Sequence, residues 1–272
     1  MVTAAFKQFG SCLTILFLLA SSLSAETVPL TESGYPISQK ELRAALRDVE
    51  ALINKGAWLD AEAQYQTLLQ YDLPASERET IRSALEELNL KLLFSPILTP
   101  DSFQYTVEPG DSLYKIARKF NTTIDLVKKS NHLETDLIRP GMGLKISKAA
   151  YSIVVDKSSN ELKLYADGET LKTYAVATGS GDRTPIGSFT IESKLADPVW
   201  YRAGAIVPPD SPENILGSRW LGFSLPGYGI HGTTMPESIG QHVTDGCVRM
   251  HNRDVEELSS IVPLKTKVTV VE

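Results

Sequence analysis

Apolar and polar positions change period along the chain, and each change marks a different kind of element. Residues 26–37 are polar and carry Gly34 and Pro36, as a linker does. From Ser38 the period is helical: Ser38 and Glu41 have the spacing of a capping box, and Leu42, Ala45, Leu46, Val49, Leu52 and Ile53 then share one stripe. Gly56 predicts the end of that helix. Ala61, Tyr65, Leu68 and Leu69 predict a second, broken at Pro74. Ser76 with Glu79 repeats the capping-box spacing before a third, marked by Ile81, Ala84, Leu85 and Leu88. The expectation is three helices within residues 38–94 that pack on one another. Residues 95–102 hold two prolines and read as a second linker.

Over residues 103–148 the period changes twice. Tyr105 and Val107 alternate with polar residues as in a short strand, and residues 108–111 (EPGD) have turn chemistry. Leu113, Ile116, Ala117 and Phe120 return to helical spacing, Thr123 is placed to cap a second short helix with Ile124 and Val127, and Leu144 and Ile146 read as a closing strand. The unit predicted is βααβ. From Tyr151 the chain is β-rich: an apolar run at 153–155, alternation through Leu162 and Leu164, a hairpin turn at Asp167 and Gly168, then strands over 170–177 and 188–193. Residues 195–230 are rich in Gly, Pro and aromatics without a clear period, the mark of a functional irregular stretch. Trp200, Tyr201, Trp220 and Phe223 lie there, either shaping access to a site or filling a core. A helix over 254–260 and a final strand over 266–271 close the chain.

The length of 272 residues implies two or three domains. The formal net charge of -6 argues against a general nucleic-acid binder. Two cysteines exclude a disulfide-rich scaffold and a four-cysteine zinc ribbon. Lys7, the apolar run LTILFLLA over 13–20 and the small residues ending at Ser24 and Ala25 predict a signal peptide over 1–25, with an uncleaved anchor as the alternative. Cys12 precedes the apolar run, whereas a lipidated cysteine would follow it. Cleavage leaves Cys247 alone in an exported chain, in the periplasm or at the cell envelope, where a lone thiol is either inert or kept for its reactivity.

Candidate chemistry is concentrated in residues 229–252, GIHGTTMPESIGQHVTDGCVRMHN. An imidazole beside a thiol can take its proton and later return it to a leaving amine. His231 stands 16 residues before Cys247 across a glycine-containing loop, so a chain that folds back brings them together. Gly246 permits close backbone approach for amides that serve an oxyanion. Arg249 shares a face with Cys247 if the segment is extended, where a guanidinium could clamp a carboxylate. His231, His242, Cys247 and His251 are acceptable zinc ligands by type, but their spacings match no compact ligand pattern. No metal and no cofactor are expected.

Three resemblances follow from these residues. Residues 54–74 (NKGAWLDAEAQYQTLLQYDLP) resemble one unit of a tetratricopeptide-type helical hairpin, which implies a scaffold or a docking face for a protein partner. YTVEPGDSLYKIARKF, Asn131 and IRPGMGLKI resemble a LysM domain over 103–148. That family binds N-acetylglucosamine-containing glycans, which implies a shallow groove at Gly110, Asp111, Leu113, Leu137, Pro140 and Gly141; Tyr105, Leu113, Ile116 and Phe120 also suit the core. TPIGSFTI, DPVWY, LGSRWLGF, YGIHGT, SIG and the run from Thr244 to Asn252 resemble the YkuD-type L,D-transpeptidase catalytic domain across residues 151–272.

The last resemblance implies a mostly-β, sandwich-like fold acting on peptidoglycan stem tetrapeptides. A cysteine attacks the L-centre carbonyl at position three, D-alanine leaves, and an amine on another stem accepts the acyl group to give a 3→3 cross-link. Carried onto this chain, Cys247 is the nucleophile, His231 the general base and Gly232 the group that orients it. Thr244, Gly246 and Arg249 fall on the motif, with oxyanion donation implied for the Gly246 and Cys247 amides. Asp245 stands where many members have histidine; its charge would oppose thiolate formation unless it points away, or it could help bind a cationic acceptor amine. Water as acceptor would make the chain an L,D-carboxypeptidase. A decayed site would leave a non-catalytic wall-binding protein, which the intact His231, Gly246, Cys247 and Arg249 argue against.

Overall fold

Each change of period in the sequence becomes a boundary between elements in the structure, a computed structural model that describes residues 34–202 and 204–272. The predicted signal peptide, with Cys12, lies outside the described residues. Helices α1 (Gln39–Asn54), α2 (Trp58–Leu68) and α3 (Ala75–Leu93) come first. The Ser38–Glu41 capping box forms: Glu41 N donates to Ser38 Oγ at 3.3 Å, and Ser38 N donates to Glu41 Oε2 at 3.0 Å. Gly56 sits just past α1 at φ +76°, a conformation that favours glycine. The second capping box does not form. Pro74 is the N-cap of α3, without a side-chain bond, and Ser76 lies inside the first turn, its carbonyl accepting from Thr80 Oγ1. The fixed φ of Pro74 turns the chain into the helix before Ser76 is reached. Leu42, Val49, Ala61, Leu68, Ile81 and Leu88 bury one another between the three helices.

The βααβ unit is β1 (Ser102–Thr106), α4 (Leu113–Lys119), α5 (Ile124–Ser130) and β2 (Gly143–Ser147). β1 and β2 are antiparallel, with Tyr105 opposite Leu144. Thr123 caps α5, accepting from Leu126 N at 2.9 Å. Val107, Leu113, Ile116, Val127, Leu144 and Ile146 form its core.

The β-rich region contains β3 (Tyr151–Asp156), β4 (Glu161–Ala166), β5 (Glu169–Ala175), β6 (Thr178–Gly179), β7 (Gly187–Ala196), β8 (Trp200–Arg202), β9 (Ala205–Val207), β10 (Arg219–Phe223), β11 (Gly229–His231), β12 (His242–Thr244), β13 (Val248–Arg249), α6 (Asn252–Ile261) and β14 (Lys267–Val271). Eight strands form one mixed sheet in the order β13-β11-β10-β7-β14-β3-β4-β5. The sandwich-like expectation is therefore met by one curled sheet. Residues from opposite ends, Val248 of β13 and Leu171 and Tyr174 of β5, enter one core with Val255 and Leu258 of α6. Residues 195–230 are less irregular than the sequence suggests, since they hold the β8–β9 hairpin and strands β10 and β11.

Contacts between these parts use specific polar groups as well as apolar ones. Glu86 of α3 accepts from Thr173 N at 3.0 Å and Thr173 Oγ1 at 2.7 Å, so α3 covers the β5 edge of the sheet. Lys145 of β2 donates to Leu92 O at 2.8 Å and Ser95 O at 3.0 Å, satisfying carbonyls at the C-terminus of α3. Thr123 Oγ1 donates to Ser260 O, and Lys129 Nζ donates to Ser260 Oγ at 2.9 Å, joining α5 to the last turn of α6.

Candidate active site

Register decides which side chains meet. β11 and β13 are parallel, with Ile230 opposite Val248 and His231 opposite Arg249. Ile230 and Val248 are fully buried in the core. Successive side chains on a strand alternate between faces, so His231, Arg249 and Cys247, the residue just before β13, share the opposite face. Diagonal neighbours on one sheet face lie about 7–8 Å apart, within reach of an aromatic-sized side chain. Cys247 thus enters β13 beside the strand that ends in His231, and the alternation puts the predicted thiol and imidazole on one face.

His231 is 2% exposed, and its Nδ1 lies 2.6 Å from Gly232 O. A carbonyl can only accept, so Nδ1 carries the proton and Nε2 keeps its lone pair. Burial pushes the imidazole pKa down to about 4, and the Arg249 charge adds to that, while the bond to Gly232 opposes it. The ring is neutral at pH 7. Burial pushes the Cys247 thiol up, and the Asp245 charge adds to this; the Gly229 amide and Arg249 act the other way. Cys247 Sγ also donates to Gly227 O at 3.6 Å. The resting pair is a neutral thiol and a neutral imidazole.

The loop before Cys247 is held from within. Thr244 Oγ1 donates to Cys247 O at 2.6 Å and accepts from Gly246 N at 3.2 Å. Gly246 has φ +125°, and a Cβ there would meet Arg183 O and the Tyr228 ring at 2.7 Å each. Its amide is already engaged by Thr244, which leaves it less available to an oxyanion than the sequence suggests. The Asp245 carboxylate is 96% exposed and pairs with Arg183 Nη1 at 2.6 Å. Arg249 departs from the expected carboxylate clamp. It is 5% exposed, Nη1 donates to Ser238 Oγ at 2.9 Å, and Nε is buried without a hydrogen-bond partner. A guanidinium packed in this way is held inside the protein and does not open its fork to solvent.

The other histidines lie elsewhere. His242 is bound by Thr178 Oγ1 at 2.8 Å and Asn160 Nδ2 at 3.2 Å, and His251 is the N-cap residue of α6. Two residues named in the sequence without a specific role support the site. Asn252 Oδ1 accepts from Thr233 N at 2.9 Å and Ser218 N at 3.2 Å, tying the start of α6 to the chain on both sides of the histidine strand. Its place in the cysteine motif was the available signal. Trp220 of β10 stands opposite His231, with ring centroids 6.1 Å apart and planes 21° from parallel. Nothing in the spacing separated it from a core tryptophan.

The glycan-site residues divide in two. Leu113 is 2% exposed and belongs to the core, so its predicted contact role is corrected: as the first residue of α4 it points into the unit. The Asp111 carboxylate accepts from Tyr105 OH at 2.7 Å and Glu108 N at 2.9 Å and serves its own turn. Gly110, Leu137, Pro140 and Gly141 are exposed. Their two turns are drawn together where Val107 N donates to Met142 O and Gly141 N donates to Val107 O, both at 2.8 Å.

Comparison with known proteins places two regions of the chain in known families. The model of the L,D-transpeptidase catalytic domain matches residues 150–270, and that of the LysM domain matches residues 105–147. The provisionally named L,D-transpeptidase YkuD of Bacillus licheniformis is 36% identical over 174 residues, 61% of this chain and 97% of that protein. The chain belongs to the YkuD-type L,D-transpeptidase family. Another member, the provisionally named L,D-transpeptidase YqjB of Bacillus subtilis, is 39% identical over 126 residues, 44% of this chain and 70% of that protein. Among solved structures, an L,D-transpeptidase from Mycobacterium smegmatis aligns with a TM-score of 0.38 at 21% identity, covering 48% of this chain and 64% of that one.

Proposed function

We propose that this L,D-transpeptidase is an exported enzyme that uses Cys247 as nucleophile and His231 as base to form 3→3 cross-links between peptidoglycan stem peptides. The observation that carries the reading is the shared face of the two side chains, with the Nδ1 proton fixed on Gly232 O at 2.6 Å and Nε2 left to accept. The Cys247 S–H proton passes to His231 Nε2 as sulfur attacks the L-centre carbonyl of the third residue. The tetrahedral oxyanion is met by the Cys247 amide, and by the Gly246 amide once it leaves Thr244. The C–N bond to the terminal D-alanine breaks, and the imidazolium returns its proton to the leaving amine. An amine of a second stem then attacks the thioester, His231 again takes the proton, and the thiol is restored.

The exposed turns at Gly110 and at Leu137–Gly141 would hold wall glycan and keep the enzyme beside its substrate at the cell envelope. Because α5 and β2 are bonded to α6 and α3, the glycan site is carried on a fixed arm. The test is product analysis. Purified disaccharide-tetrapeptides incubated with the protein should give a dimer one D-alanine lighter than two substrates. Free tripeptide alone would instead make water the acceptor, and unchanged substrate on a folded protein would contradict the enzyme reading.

A further inference from the structure

The active-site face has one large side chain that the chemistry above does not use. Trp220 stands directly opposite His231 in the β10–β11 register, and Gly222 stands opposite Gly229 two residues along. All four lie on the face that carries Cys247. The indole lies over the glycine pair: a Cβ on Gly229 would meet Trp220 Cζ2 at 2.9 Å, and one on Gly222 would meet Trp220 Nε1 at 2.8 Å. Two missing side chains therefore make the bed on which this ring rests against the imidazole. The geometry of 6.1 Å and 21° is an offset stack.

We propose that Trp220 is a positioning residue for His231, with the indole and the Gly232 carbonyl together fixing the direction of Nε2 and keeping water from the ring. The Gly232 bond alone restrains one edge of the imidazole and still allows the ring to pivot about it. An aromatic plane laid along the ring removes that freedom, because pivoting would break the stack. The same plane covers part of the ring surface, so the imidazole stays dry on the side away from the core. The proposal rests on the reading of His231 as the base, and the test separates the two.

The first readout is NMR of the His231 ring, which needs no substrate. In the wild-type protein its carbon-bound ring protons should be shifted upfield by the indole, and the ring should titrate near pH 4. Trp220→Phe keeps an aromatic plane and should preserve both features. Trp220→Leu fills the space without a plane and should move the titration toward the ordinary histidine range, near 6.5. The second readout is the rate of acyl-enzyme formation with disaccharide-tetrapeptide. Trp220→Leu should slow it about 10- to 100-fold with little change in apparent substrate affinity, as expected for a misdirected base. Trp220→Phe should remain within a few-fold of wild type.

Loss of packing alone would lower the active fraction without moving the titration. If Trp220→Leu does not fold, the wild-type ring shifts and Trp220→Phe still decide. Unshifted wild-type ring protons, or a Trp220→Leu protein with wild-type titration and rate, would overturn the proposal while leaving the base intact. Wild-type acylation in His231→Ala, or no acylation by the wild type, would overturn the reading of the base instead, and the NMR would still decide whether Trp220 holds the ring.

Discussion

His231 is a neutral ring because it is buried and because its fixed hydrogen bond is to a carbonyl. The proposed role as base then needs no deprotonation near pH 7, and the acid limb of acylation should lie near pH 4 rather than near 6.5. A limb near 6.5 in a pH–rate profile would show a solvated imidazole. Asp245 bears on the other partner. Its charge helps hold the Cys247 thiol up, yet the carboxylate is almost fully exposed and engaged with Arg183. Asp245→Asn should therefore lower the thiol pKa, and the difference from wild type should shrink as salt is raised. Thiolate absorbance followed against pH at two ionic strengths checks this.

At the scale of elements, the site is a sheet face closed by two tight loops. Gly246 joins the cysteine strand to its loop at φ +125° with no room for a Cβ. Gly246→Ala should cost about 1–3 kcal/mol in denaturant unfolding and displace Cys247, abolishing acylation. Asn252→Ala would leave the Thr233 and Ser218 amides without their acceptor, at a cost of about 1 kcal/mol, since one bond is exposed and the other only part-buried. Its thermal melt should fall while Cys247 stays chemically reactive. The elements with a strong period were legible in the sequence: the α1 stripe, the βααβ unit and the hairpin at Asp167 and Gly168 all occur where the pattern puts them. β10 and β11 were not, because Gly222 and Gly229 occupy positions where an alternating strand would show side chains. The same absence of side chains makes room for Trp220. The candidate site residues lie on a motif visible in the sequence, whereas the burial of Arg249 and the engagement of the Gly246 amide depend on packing that no spacing records.

Across the whole molecule, the buried Lys145 and the half-buried Lys194 hold parts together by donating to helix-end carbonyls. Lys145 joins β2 to the end of α3, and Lys194 donates to Val262 O just beyond α6. Burial pulls each down to about 8 from an ordinary 10.5. The folded state therefore gives up these protons before the unfolded chain does. Their contribution is fully present above about pH 10.5 and is lost as pH falls through 8. Urea stability should rise between pH 8 and 10 in the wild type more than in a Lys145→Met, Lys194→Met double variant; equal slopes would mean that neither lysine is desolvated. The three bonded parts also predict that the LysM unit moves with the eight-stranded sheet, which inter-domain distance measurements by spin labels would show as one narrow distribution. The central claim, that acyl transfer runs through one thiol, is tested most directly by mapping the acyl-enzyme. The protein is mixed with disaccharide-tetrapeptide, quenched in acid, digested and sequenced by mass spectrometry. The prediction is a disaccharide-tripeptide adduct on the peptide containing Cys247 and none on the Cys247→Ala protein. An adduct on another residue, or product formation by Cys247→Ala, would contradict the account.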